Sequence, residues 1–134
     1  MGGENLSIRI IIGGYAQGKL DYALQKHCLP KHAVWDGRLP DILLPEGNAI
    51  IINHFHDWVK KQIAQGRCPE RETLGFLEHY KECTIICDEV GNGIVPMEAA
   101  EREYRERLGK ILIMLAERAD IVERVICGIG QRIK

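Results

Sequence analysis

The sequence predicts an α/β fold with a mainly parallel central sheet flanked by helices. Three observations carry this. Short apolar runs rich in β-branched residues alternate with longer amphipathic runs. Alternation of strand and helix implies βαβ units. The runs are apolar throughout, which suits strands covered on both faces.

The elements follow in order. Residues 8–12 form an apolar run that stops at Gly13-Gly14, and residues 19–27 have a helical pattern. Residues 33–35 suggest a short strand and residues 49–52 a buried one. Residues 55–64 suggest a helix, and Leu74, Leu77 and Tyr80 mark another over residues 70–80. Residues 84–87 form the next strand, then comes a glycine-rich loop at 91–96. A long helix is expected over residues 97–119. There Tyr104, Leu108, Ile111, Leu112, Leu115 and Ala119 share one face. Glu98–Arg102, Glu101–Arg105, Glu103–Arg107 and Glu106–Lys110 are acid-first i,i+4 pairs that suggest a solvated face. Residues 121–127 form the last expected strand. The interval 27–45, with Pro30, Gly37, Pro40 and Pro45, is the expected long loop.

At 134 residues the chain suits one domain spanning residues 1–134. Apolar residues are 46% and charged residues 28%, an ordinary globular balance. The net charge is −1, which argues against non-specific nucleic-acid binding. No apolar run reaches the roughly 18 residues of a membrane span. Residues 1–7 lack a basic and apolar leader, so no signal peptide is expected. Five cysteines without a CxxC pair suggest free thiols and a cytoplasmic setting.

The chemistry-bearing stretch is Gly13-Gly14-Tyr15-Ala16-Gln17-Gly18-Lys19, which fits G-x-x-x-x-G-K between a strand and a helix. Glycines let backbone N–H groups curl around phosphate, lysine supplies a point charge, and a helix N-terminus stands behind. Leu20 follows, where that motif wants a Mg²⁺-ligating hydroxyl. The strand at 49–52 leads into neutral Asn53, whereas the strand at 84–87 leads into Asp88-Glu89. Asp88 and Glu89 are therefore the expected carboxylates for metal or water positioning, and Lys19 the phosphate-neutralising group. Mg²⁺ binding is expected to be weakened by Leu20 and Asn53.

Other constellations carry less. His54-x-His56-Asp57 has ligand chemistry, with the imidazoles about 6–7 Å apart if on a strand. It lacks an evident third ligand, so no metal site is expected, and a place lining the ligand pocket is the better reading. Cys83 and Cys87 share a strand face about 13 Å apart, too far for a disulfide, and suit the core. Trp35 and Trp58 are expected as hydrophobic anchors, with base or corrin stacking as the other reading.

The run Asp88-Glu89-Val90-Gly91-Asn92-Gly93-Ile94-Val95-Pro96 resembles the D/N-E-V-G-x-G-I-V-P signature of the bifunctional adenosylcobinamide kinase / adenosylcobinamide-phosphate guanylyltransferases of cobalamin biosynthesis. The phosphate-loop stretch resembles their G-G-x-x-S-G-K-S. Tyr104-Arg105, Leu108-Gly109, Leu115-Ala116, Ala119-Asp120 and Gly128-Ile129-Gly130 through Ile133-Lys134 resemble the family's last third.

The resemblance implies a RecA-like P-loop fold that binds ATP or GTP. It implies phosphorylation of the aminopropanol hydroxyl of cobinamide, then GMP transfer through a guanylyl-histidine. It also implies assembly as a homo-oligomer, such as a trimer.

This chain departs from the pattern. It is shorter between the phosphate loop and the strand at 49–52, where the family carries an I-A-T strand and an arginine-rich helix with the acceptor histidine. No R-I-x-x-H-x-x-x-R-P is present, and His27 and His32 stand in other contexts. Leu20 and Asn53 replace a hydroxyl and an acid. The expectation is retained nucleotide binding with guanylyl transfer lost. The alternative is a non-catalytic nucleotide- or corrinoid-binding regulatory module, and the third reading is a scaffold subunit.

Overall fold

The computed structural model describes residues 7–41, 44, 49–89 and 98–134. The signature residues 90–96 lie outside the described residues; Asp88 and Glu89 lie within them. The elements run β1 (Ile8–Gly13), α1 (Lys19–Lys26), a 3-10 turn (Lys31–Ala33), β2 (Val34–Asp36), β3 (Ile50–Asn53), α2 (Phe55–Ala64), α3 (Pro69–His79), β4 (Cys83–Asp88), α4 (Ala99–Arg118), β5 (Ile121–Ile126) and β6 (Ile129–Arg132). They form a six-stranded sheet of order β2-β3-β4-β1-β5-β6. The first five strands pair in parallel, and β6 closes the edge antiparallel to β5. This is the expected α/β class.

The period-two alternation of strand side chains divides the core. Ile10, Ile50, Ile52, Cys83, Ile85 and Cys87 face a large apolar layer with Phe55, Trp58, Phe76 and the α4 face. Ile11, Ile51, Ile86 and Val125 face a smaller layer closed by Ala23 of α1 and Ala33. Tyr104, Leu108, Ile111 and Leu115 are the buried stripe of α4. Each fully buried aliphatic there contributes about 1.5–3 kcal/mol. Cys83 and Cys87 are buried free thiols, and burial pushes both up to about 12.

The charged face of α4 departs from a purely solvated one. Arg107 pairs with Glu103 one turn away, at 3.0 Å, and also reaches Glu70 of α3 at 2.9 Å. It ties two helices together. The Glu70 carboxyl is pulled down to about 2, mainly by the hydrogen bond from Arg107.

Two departures from the expected elements have local reasons. The strand expected to run through Cys127 stops at Ile126, because Cys127 and Gly128 both take positive φ, 51° and 76°. That is the backbone of a two-residue hairpin turn. It creates β6, a strand not expected from the sequence. The short strand expected at residues 33–35 runs one residue later, as the edge strand β2 in register with β3, Asp36 opposite Asn53. Among the described residues, no helix is long and apolar enough to cross a membrane.

Candidate functional site

The site lies where β1, β3 and β4 end and α1 and α2 begin. Gly13 ends β1 beside Val125 of β5 and Asp88 of β4. A Cβ on Gly13 would stand 2.5 Å from the Val125 carbonyl oxygen, so no other residue fits without movement. The turn then curls through Ala16, at φ 57°, and Gly18, at φ 83°, which caps α1. Positive φ at Gly18 favours glycine.

Lys19 opens α1 and is only 8% exposed. Its Nζ donates to the Gly14 carbonyl at 2.7 Å and lies 2.6 Å from Asp88 Oδ1. The turn is also held from the other side. Gln17 Oε1 accepts from the Cys127 N–H at 2.6 Å, and the Gln17 carbonyl accepts from the Gly128 N–H at 2.8 Å. The β5–β6 hairpin therefore braces the loop.

Asp88 connects the loop to α2. Its backbone N–H donates to His56 Nδ1 at 3.0 Å, and its Oδ2 lies 3.4 Å from His56 Nε2. Accepting at Nδ1 places the proton of the neutral imidazole on Nε2, toward Asp88 and Asp57. Burial lowers the His56 pKa, and the nearby carboxylates only partly offset it.

Asn53 ends β3 with its Nδ2 donating to Asp36 Oδ1 at 3.0 Å. His54 follows in a left-handed conformation, φ 55° and ψ 46°, and caps α2. Its Nδ1 lies 2.6 Å from the same Asp36 oxygen.

A cavity of about 370 Å³ opens over these groups. That volume lies within the ordinary range for small-molecule sites. Tyr15, Ala16, Gln17, Gly18, Lys19 and Leu20 line it, with Asp21, Asn53, His54 and Asp88. Gly13 and Gly14 stand outside its lining. Glu89 does not join it: its carboxylate is engaged by Arg124 Nε at 2.9 Å and Nη2 at 3.1 Å. Glu89 instead extends the pairing of the central strands β4 and β1 at their carboxyl ends, its N–H donating to the Gly13 carbonyl at 2.8 Å.

The strand spacing considered for the His54–Asp57 stretch does not apply, since α2 starts at Phe55. Among the described residues no group of three His, Cys, Asp or Glu is placed to hold a metal ion. Trp58 packs on Phe55 in the core, and Trp35 lies under the Arg38 guanidinium, 4.7 Å from the ring centre. No local pattern in the sequence points to Asp36 as part of this site. Only the parallel register of β2 on β3 brings it beside Asn53 and His54.

Compared with known protein families, the chain matches the sequence profile of the cobinamide kinase / cobinamide phosphate guanyltransferases over residues 41–133, more than half its length. The chain belongs to this family. The fold agrees, and the family is one of nucleotide-using kinases and transferases of cobalamin biosynthesis. The matched stretch of the cobinamide kinase / cobinamide phosphate guanyltransferase profile holds Asn53, His54, Asp88 and Glu89, whereas Asp36 and the turn at residues 13–20 precede it. No curated protein matches the chain.

Proposed function

We propose that this protein binds a nucleoside triphosphate, ATP or GTP, in the residue 13–20 turn and transfers its terminal phosphoryl group to a hydroxyl of a cobinamide-type acceptor. The observation that carries this is Lys19. A buried ammonium at the N-terminus of α1, inside a turn with two positive-φ residues, is the arrangement that attracts phosphate oxygens. The turn's N–H groups cradle the phosphates. Lys19 leaves Asp88 in part to neutralise them, which suits a reaction driven by positioning and electrostatics.

Of the candidate carboxylates, Asp88 lines the cavity and fits the site as the holder of a nucleotide-borne Mg²⁺, working through water since Leu20 offers no oxygen. When bound, Mg²⁺ neutralises charge developing on the phosphates.

Guanylyl transfer through a histidine is lost in this reading. His27 is held by Glu123 at 2.7 Å with its side chain 12% exposed, and His32 lines a different cavity. A second reading, a binding module without turnover, is favoured by one observation. The Asn53 amide stands where an acid would serve a metal, and it is spent on Asp36.

The test is turnover. Purified protein is mixed with Mg²⁺, cobinamide and ATP or GTP, and products are read by mass spectrometry beside Lys19→Ala. Cobinamide phosphate that vanishes in the variant is the expected result. Nucleotide binding without product selects the second reading.

A further inference from the structure

Of the five histidines, His54 alone lines the loop cavity, and it does so with a carboxylate behind it. Its Nδ1 lies 2.6 Å from Asp36 Oδ1, and its side chain is 45% exposed. With Nδ1–H donating to Asp36, Nε2 carries the ring's lone pair, and it has no hydrogen-bond partner among the described residues. Asn53 Nδ2 donates to the same Asp36 oxygen, fixing the carboxylate. His54 also holds a left-handed backbone, an uncommon conformation for a non-glycine residue and one that clusters at functional sites. A base oriented by a buttressing carboxylate beside the reacting group is the recurring geometry of proton abstraction.

Resting on the phosphoryl-transfer reading above, we propose that His54, oriented by Asp36, is the general base that activates the acceptor hydroxyl. The acceptor oxygen attacks the terminal phosphorus. Its proton passes to His54 Nε2. The bond from that phosphorus to the bridging oxygen breaks, and its electron pair leaves with the nucleoside diphosphate. Asp36 stabilises the imidazolium, which then returns its proton to water. His56 cannot serve in this way, because its Nδ1 is occupied by the Asp88 N–H and its Nε2 carries the proton. Asp36 is a positioning residue, since it acts through His54.

The test uses the whole chain with Mg²⁺, cobinamide and ATP or GTP. His54→Gln is expected to lower kcat about 100-fold or more, while nucleotide KM moves less than about twofold. Asp36→Asn is expected to lower kcat about tenfold. Free imidazole is expected to restore part of the activity of His54→Ala, which a structural role would not allow. His54→Gln turning over at the wild-type rate overturns the base assignment and leaves phosphoryl transfer standing. Nucleotide covalently retained on His54 overturns it too, making the residue a nucleophile. Wild-type protein that binds nucleotide without turnover overturns both the base and the phosphoryl-transfer reading.

Discussion

Lys19 Nζ lies 2.6 Å from Asp88 Oδ1, with 8% and 18% of those side chains exposed. The two ends of this pair come from different elements, the first residue of α1 and the last of β4. Such a pair is costly to desolvate, so it is weak as a source of stability. In the proposed function its value is a cation held in place before a phosphate arrives. On that reading Asp88 and an incoming phosphate compete for one ammonium.

That competition has a measurable consequence. Asp88→Asn keeps the shape and frees Lys19. Nucleotide binding without Mg²⁺ is expected to tighten several-fold, while Mg²⁺-dependent turnover falls at least about tenfold, the usual size of losing an electrostatic contact in phosphoryl transfer. Calorimetry in EDTA and a steady-state assay check the two halves separately.

Leu20→Ser and Asn53→Asp separate in the structure, although both restore oxygen ligands. Leu20 lines the cavity, and a serine there is expected to tighten Mg²⁺-nucleotide binding about tenfold. Asn53→Asp sets a carboxylate against Asp36, whose oxygen now accepts from the amide at 3.0 Å. The repulsion is expected to cost about 1 kcal/mol, read as a lower urea midpoint.

The Gly13 position tolerates no side chain. Gly13→Ala pushes a methyl against the Val125 carbonyl and is expected to destabilise by about 1–3 kcal/mol. Urea denaturation measures this without any assumption about ligand.

A buried cluster behind α1 is expected to shape the pH dependence of stability. Glu123, 3% exposed, accepts from the Tyr22 hydroxyl at 2.5 Å and faces His27 at 2.7 Å. Burial raises the Glu123 carboxyl, but the hydrogen bonds from Tyr22 and His27 outweigh it, leaving it below its ordinary value. A depressed acid contributes stability above its unfolded pKa and loses it as pH falls through the folded one. Glu123→Gln is therefore expected to flatten the loss of stability below about pH 4.5. Tyr22 is pushed up to about 12, by burial first and Glu123 second, so its share is present below pH 10 and lost as pH rises through 12. Thermal melts across pH read both limbs.

Much of this architecture is legible in the residues. β1, β3 and β4 announce themselves because central strands buried on both faces need nearly continuous apolar runs, and β5 by the apolar pairs flanking Glu123 and Arg124. α2 has the predicted bounds, residues 55–64, because its apolar spacing begins right after His54. The strand that hides is the antiparallel edge. β6, Ile129-Gly130-Gln131-Arg132, is largely exposed, so no burial pattern marks it. Its one signal is the glycine of the Cys127-Gly128 turn.

The site divides in the same way. The loop, Lys19 and Asp88 are visible because local chemistry defines them. Glu89 looked like their partner because it is adjacent in sequence, but alternation along an extended chain sends it toward Arg124. The contact of Asp36 with His54 spans 18 residues and depends on strand register, which no local pattern encodes.

The central claim is that the turn at residues 13–20 binds nucleoside triphosphate through Lys19. Isothermal titration of wild type and Lys19→Ala with non-hydrolysable ATP and GTP analogues in Mg²⁺ tests it most directly. Saturable binding by the wild type, weakened at least about tenfold in the variant, is the predicted result. Absence of binding in both, or equal binding by both, would contradict it.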